Sequence, residues 1–302
     1  MCIRDRIVTG GQGFIGKALI NELVKRGYSD VISLDTKTQS LDYIYDYISK
    51  HQENIKGIFH MGAIVDTILT DKNMFYLYNF SSSVEIWNLC STYKIPLIYA
   101  STGATYGDGK NGFDDECDIS NLAPLNRYGW SKQEFDLYTR YSAKNNIHPP
   151  YWYGLKFFNV YGYDESHKDN MASVAFQMYN QIKKNGRVKL FKSHNPEYKD
   201  GEQLRDFIYI DDIVDVCIWM FEHVVESGIY NVGTGKARTF KDLAKAVFNH
   251  KPINIDYIDI PLEIRNNYQY FTEAKIDKLR KVGYQKPFIE LEDGIKKYIN
   301  KL

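Results

Sequence analysis

The octapeptide TGGQGFIG, residues 9–16, joins the short apolar run Ile7–Thr9 to an amphipathic stretch from Phe14 to Val24. Glycines at 10, 11, 13 and 16 allow a strand to turn sharply into a helix and leave the backbone bare enough for a ligand to approach. The spacing of Gly11, Gly13 and Gly16 fits the dinucleotide fingerprint, with Phe14 and Ile15 completing the turn into the helix. The N-terminus of such a helix offers unpaired N–H groups to a pyrophosphate. A second apolar run, Val31–Leu34, ends at Asp35, the interval at which a carboxylate accepts hydrogen bonds from an adenosine ribose. An ordinary strand-to-helix turn would explain the glycines alone. Strand, helix and acid in this order favour a nucleotide cradle.

Strand-like runs alternate with helical patterns beyond this point. Gly57–His60, Leu97–Ser101, Tyr153–Phe158 and Ile229–Val232 continue the series, which predicts an α/β fold of Rossmann type, a doubly wound parallel sheet. After Tyr163 the rhythm loosens, so residues 1–163 are expected to form the dinucleotide-binding domain, with a return segment near 206–232. Residues 164–302 are then mainly a smaller C-terminal substrate-binding domain. The polar stretch His194–Gln203 reads as a surface loop.

At 302 residues and 44% hydrophobic composition the chain can bury a sizeable core. Lys plus Arg equals Asp plus Glu at 38 each, so no global field favours nucleic acid or an acidic membrane. No apolar stretch approaches the roughly 18 residues that span a bilayer, and MCIRDR lacks the apolar core of a signal peptide, so a cytoplasmic location is expected. Cys2, Cys90, Cys117 and Cys217 are scattered and read as reduced thiols. Arg4, Asp5 and Arg6 are awkward in a central parallel strand, so the first strand is expected only over Ile7–Thr9.

Tyr128 and Lys132 lie four apart, on one face of a helix that starts near Asn126. A phenol ionises near 10 in water and is a poor base at neutral pH. A neighbouring ammonium together with an oxidised nicotinamide would favour the phenolate, and bringing it to about 7 takes roughly 4 kcal/mol. With 25 tyrosines in the chain, such a pair also arises by chance. Taken alone it does not establish catalysis.

Taken in order, the segments resemble the extended short-chain dehydrogenase/reductase family of nucleotide-sugar enzymes. The resemblance rests on TGGQGFIG, the HMGA segment His60–Ala63, YASTGATYG from Tyr99 to Gly107, YGWSK from Tyr128 to Lys132, FFNVYG from Phe157 to Gly162 and RDFIYIDD from Arg205 to Asp212. Within that family, SHKDNMASVAF after FFNVYG resembles the ADP-heptose 6-epimerase branch, with His167, Lys168, Met171, Ala172 and Ser173 as the discriminating run.

That resemblance implies an isomerase acting on an ADP-heptose substrate of lipopolysaccharide biosynthesis, through a transient 6''-keto sugar, without metal. It implies a homo-oligomer and a tightly held NADP, with NAD the other candidate. Asp35 suits a free ribose hydroxyl, whereas Lys37 would neutralise a 2'-phosphate. By the same resemblance, Tyr128 and Lys168 are the two acid/bases and Lys132 holds the nicotinamide ribose and depresses the Tyr128 pKa. Thr102 bonds the reacting oxygen, with Ser101 as fallback. His60 and Ala63 border the cofactor, although His60 is expected to be structural rather than a metal ligand. Asn159, His167, Ser173, Arg205 and Tyr268 face the nucleotide sugar, Arg205 at the diphosphate. As a solvated loop cation, Lys168 would need no such role, and Arg205 could instead pair with Asp206 or Asp211.

Only 24 residues separate Asp35 from His60, so one small strand of the family is expected to be missing, with Asp42 or Asp46 supplying an adenine contact. Two other readings share these residues. A nucleotide-sugar 4-epimerase would use Tyr128 without a Lys168 base, and a cofactor-sensing protein would bind without turnover.

Overall fold

The computed structural model describes residues 5–66, 69, 71–248, 254–265 and 268–302. Arg4 and Cys2 lie outside them. The chain begins with Asp5–Thr9 (β1), Phe14–Lys25 (α1), Val31–Leu34 (β2), Leu41–His51 (α2) and Ile55–His60 (β3). Lys72–Phe75 (α3) runs through a π-helical turn, Tyr76–Ser81, into Ser82–Tyr93 (α4). Leu97–Thr102 (β4), Arg127–Lys144 (α5), Trp152–Phe157 (β5) and Asn159–Tyr161 (β6) follow. The remainder comprises Val174–Asn185 (α6), Arg187–Phe191 (β7), Leu204–Tyr209 (β8), Ile210–Glu222 (α7), Gly228–Val232 (β9), Ala237–Thr239 (β10), Phe240–Val247 (α8), Asn254–Ile258 (β11), Leu262–Arg265 (α9), Asp277–Lys281 (α10) and Leu291–Ile299 (α11).

Six strands form one parallel sheet in the order β2-β1-β3-β4-β5-β9, as the alternating pattern predicts. Such strands must be apolar on both faces because helices cover both. On one face Val8, Phe59, Ile98 and Leu155 pack with Leu19 of α1 and Ile213 of α7; on the other Ile7, Ile58 and Leu97 meet Ile48 of α2, Trp87 of α4 and Phe135 of α5. Strand order reverses beside β1, since β2 lies on one side of it and β3 on the other. Open α/β sheets bind ligands at such a switch point, beyond the strands' carboxyl ends.

Between β2 and β3 lies α2 and no further strand, as the short spacing predicts, so β2 is the sheet edge. Beyond the main sheet, β10-β8-β6 and β11-β7 form two small sheets. The expected loop over His194–Gln203 holds no regular element among its residues.

Strand ends shift by one or two residues from the sequence expectation, and the start of β1 has a specific cause. β1 starts at Asp5, not Ile7, because the Arg6 guanidinium stacks 4.2 Å over the Tyr28 ring and 5.6 Å from that of Phe221. Aromatic faces accept a cation that an aliphatic core would reject.

Candidate active site and cofactor cleft

A cleft of about 470 Å³ opens at the switch point. Its walls include Gly10, Gly13, Phe14, Ile15, Gly16, Asp35, Lys37, His60 and Ala63, and its rim carries His167, Lys168 and Met171. Gly10 takes φ +67°, and a Cβ there would stand 2.5 Å from the Gly62 backbone. At Gly16 a Cβ would lie 2.1 Å from the Gly10 carbonyl oxygen. Bare backbone is therefore obligatory at both ends of the loop. Gly11 does not line the cleft; its missing side chain lets the loop close against Ser33 of β2. α1 starts at Gly13 with no side-chain cap and no acid in its first turn, leaving its amides free for an anion. These features fit a dinucleotide's pyrophosphate.

The Asp35 carboxylate accepts from the backbone N–H of Gln12 and of Lys37, each at 2.9 Å, so it also fastens the turn that presents it. Lys37 is exposed beside it. Together with Lys17, Lys37 pushes the His167 imidazole pKa down, after desolvation, which marks a positive rim. Asp42 and Asp46 do not reach the cleft: Leu41 and Ile44 line it instead, and Asp46 pairs with Lys50 at 2.7 Å in solvent. The geometry of α2 explains this correction, since its apolar stripe must face inward.

His60 is buried, its Nδ1 2.6 Å from Thr9 Oγ1 and its Nε2 2.8 Å from Ser83 Oγ. Ser83 gives its proton to the Asn79 carbonyl oxygen at 2.7 Å, so Nε2–H must donate to Ser83 and Nδ1 accept from Thr9. Burial, then the Lys132 charge, lowers the imidazole pKa to about 3. The ring is neutral and structural.

Asn126 caps α5 by accepting from the Gly129 N–H at 2.8 Å, which places Tyr128 and Lys132 on successive turns of one face. The Tyr128 phenol is hydrogen-bonded to Thr102, at the end of β4. Ser101 is unavailable as the fallback because it donates to Asp136 at 2.7 Å inside the core. Desolvation pushes the Tyr128 phenol up to about 12, the Thr102 bond opposes this, and Asp136 adds to it. Lys132 does not depress it here, contrary to the sequence expectation. Lys132 is itself 2% exposed, and burial lowers its ammonium to about 8 against the pull of Asp136. Desolvation is the largest cause in both groups, reinforced by Asp136 at Tyr128 and opposed by it at Lys132.

Lys168 sits half-buried with Nζ 5.1 Å from the centre of the Phe14 ring, and burial lowers its pKa against the raising effect of Glu165. Ser173 is not brought to the cleft. It caps α6, accepting from the Phe176 N–H, and donates its hydroxyl to Glu165 at 2.6 Å. A helix cap and a buried acceptor consume the group expected to face substrate.

Farther along, Arg205 donates to the carbonyl oxygens of Leu204 and Gln269 and lies between the rings of Phe240 and Tyr268 at 5.5 and 5.2 Å. It pairs with neither Asp206 nor Asp211. The Tyr268 ring that flanks Arg205 comes from 63 positions away, a contact the sequence pattern does not announce. Asn159 is exposed and accepts from Thr272 Oγ1 at 3.3 Å. None of these three lines the cleft of the glycine loop.

Sequence reasoning missed Asn79, Asp136, Lys156 and Glu165. Asn79 lies in the π-helical turn, accepts from the Ile64 N–H at 2.7 Å and donates to Ser131 at 3.0 Å, fastening the cleft wall to α5. A lone Lys156 in the apolar run YGLKFF was the one visible signal, since a charge on a central strand demands a buried partner. Among the described residues no group of three or more His, Cys, Asp or Glu side chains is arranged to hold a metal, and no helix is long and apolar enough to cross a membrane. Cys90, Cys117 and Cys217 are free thiols.

A glycine cradle at a switch point, with Tyr128 and Lys132 on one face of α5, defines a nucleotide-dependent enzyme of the extended short-chain dehydrogenase/reductase class. The chain belongs to the NAD dependent epimerase/dehydratase family, whose model matches residues 6–233. It is 42% identical to an ADP-L-glycero-D-manno-heptose-6-epimerase of Fusobacterium nucleatum, over 97% of this chain and 96% of that one. It is 41% identical to the protein of the same name from Brachyspira hyodysenteriae, with the same two coverages. The crystal structure of the Helicobacter pylori ADP-L-glycero-D-manno-heptose-6-epimerase superposes with a TM-score of 0.79 at 25% identity, covering 99% of this chain and 96% of that one.

Proposed function

We propose that the chain is an isomerase that inverts C6'' of an ADP-activated glyceromanno-heptose, a step of lipopolysaccharide inner-core synthesis. The observation that carries this reading is the near full-length similarity to enzymes of that name, together with the placement of His167 and Lys168 on the rim of the glycine-loop cleft. A carbon bearing hydrogen and hydroxyl, with no acidifying neighbour, is inverted most directly by oxidation and reduction. A bound nicotinamide would accept hydride from C6'' and return it to the opposite face of the keto sugar.

The chain's own groups carry the protons. Thr102 hydrogen-bonds the reacting hydroxyl, and Tyr128 takes its proton on one face. Lys168 serves the other face, and Lys132 holds the nicotinamide ribose. Arg205, with Tyr268 stacked on it, faces the diphosphate, and Asn159 and His167 complete the sugar site. Gly10, Gly13 and Gly16 fit the pyrophosphate, with Asp35 at the adenosine ribose. NADP is the preferred cofactor because Lys37 and Lys17 form a positive rim where a 2'-phosphate would sit. Residues 164–302 then act mainly as the substrate domain, in a homo-oligomer working in the cytoplasm, where nucleotide sugars are made.

The test is NMR detection of C6'' inversion when the protein, loaded with NADP or NAD in separate samples, meets ADP-D-glycero-D-manno-heptose. Appearance of the L-glycero isomer supports the reading and ranks the cofactors. A folded, cofactor-loaded protein that leaves the substrate unchanged sinks it and favours a 4-epimerase or a sensor.

A further inference from the structure

Glu165 is 1% exposed, three residues before Lys168, and its carboxylate collects four neutral donors. The Ser173 N–H reaches Oε2 at 2.5 Å, while Oε1 accepts from Ser173 Oγ at 2.6 Å, the Tyr298 hydroxyl at 2.8 Å and the Gly162 N–H at 3.4 Å. Those donors come from three places. Gly162 opens the segment that carries His167 and Lys168, Ser173 closes it at the start of α6, and Tyr298 belongs to the C-terminal helix α11. The Glu165 carbonyl also accepts from the Lys168 N–H at 3.0 Å.

We propose that Glu165 is a positioning residue for Lys168: one buried carboxylate ties both ends of segment 162–173 to each other and to α11, and so sets the ammonium over the cofactor cleft. A carboxylate with no water around it is costly unless several donors satisfy it, so the segment has one low-energy path around Glu165. The same negative charge supports the protonated form of Lys168, which burial disfavours. Neither contribution requires Glu165 to touch substrate or cofactor. The proposal rests on the reading of Lys168 as the second acid/base.

Glu165→Gln keeps the shape but not the bonding. Whichever way the amide lies, an NH₂ group replaces one acceptor and faces hydrogen-bond donors. The experiment compares wild type, Glu165→Gln, Tyr298→Phe, Lys168→Met and the Glu165→Gln/Lys168→Met double variant. It measures kcat and KM at saturating NADP, the thermal midpoint, and the rate at which an amine-specific reagent labels Lys168, read by peptide mass spectrometry.

Glu165→Gln is expected to lower kcat about 10- to 100-fold, less than the roughly 100- to 10,000-fold that complete loss of an acid/base costs because Lys168 is displaced and not removed, and to change KM less than kcat. Tyr298→Phe, which removes a single donor, has a smaller effect in the same direction. In both, Lys168 labelling becomes several-fold faster than in wild type. Residues acting through one another are non-additive, so the double variant is no slower than Lys168→Met alone. Losses that multiply in the double variant, or Lys168 labelling unchanged in Glu165→Gln, overturn the proposal. Labelling needs no turnover, so it decides the matter even if wild type fails to epimerise, an outcome that fails the functional reading instead.

Discussion

The carboxylate of Asp136 on α5 lies 2.6 Å from the ammonium of Lys156 on β5, with both side chains fully buried. Asp136 also accepts from Tyr99 at 3.0 Å and Ser101 at 2.7 Å, and Lys156 donates to Thr105 at 2.6 Å. The pair ties the helix of Tyr128 and Lys132 to β5, while Tyr99 and Ser101 tie the same carboxylate to β4, the strand that ends in Thr102. Breaking a buried pair leaves an unmatched charge, so Lys156→Met should cost about 3–5 kcal/mol. Adding Asp136→Leu should recover part of the loss, not all, because Tyr99 and Ser101 are then left without an acceptor. Urea denaturation of the two variants checks this; a single variant as stable as wild type contradicts it.

His60 makes stability depend on pH. Its folded pKa of about 3 lies below the ordinary 6.5, so between those values the unfolded chain binds a proton that the folded chain refuses. The stabilisation is fully present above about 6.5 and is lost as pH falls toward about 3. At about pH 5 the loss is about 2 kcal/mol, from about 1.5 units at 1.36 kcal/mol each. Denaturant midpoints at neutral pH and near pH 5 should therefore fall further in wild type than in His60→Gln. Equal slopes in the two proteins would show that His60 protonates freely in the fold.

Sequence reading recovered the six sheet strands and the cradle because those signals are local: a glycine turn, a run of apolar residues, a capping asparagine. It failed where a residue's role is set by a distant partner. Nothing near Arg6 announces that Tyr28 and Phe221 will flank it, and nothing in MASVAF shows that Ser173 will be consumed by Glu165. Nor did the Tyr128–Lys132 spacing reveal that burial would outweigh the neighbouring charge. Lys168, expected at the substrate, lines the cleft of the glycine loop, because its segment returns to the carboxyl ends of the strands.

The positive rim of Lys37 and Lys17 should discriminate between dinucleotides. An exposed cation near a 2'-phosphate contributes about 1 kcal/mol, so Lys37→Ala should weaken NADP binding about fivefold to tenfold and leave NAD binding nearly unchanged. Raising the salt concentration should shrink that difference. Fluorescence titration with the two cofactors gives the ratio, and equal weakening of both would move the selectivity away from Lys37.

The Tyr128 phenol, pushed up to about 12 by desolvation, must become a base near neutral pH once the site is assembled. A descent from about 12 to about 7 requires about 7 kcal/mol at 1.36 kcal/mol per unit, more than the unperturbed phenol would need. Since Lys132 leaves the phenol high in the free protein, the descent must come from the oxidised cofactor, and one positive charge about 4 Å away contributes about 4 kcal/mol of it at an effective dielectric of 20. Ultraviolet difference titration of wild type against Tyr128→Phe should accordingly place the phenolate well above pH 10 in the free protein. Adding oxidised NADP should bring it down by at least about two units. In Lys132→Met, which loses the group proposed to hold the nicotinamide ribose, that descent should be smaller. A phenolate already formed at neutral pH in the free protein, or one unmoved by the oxidised cofactor, would remove Tyr128 from the role of base.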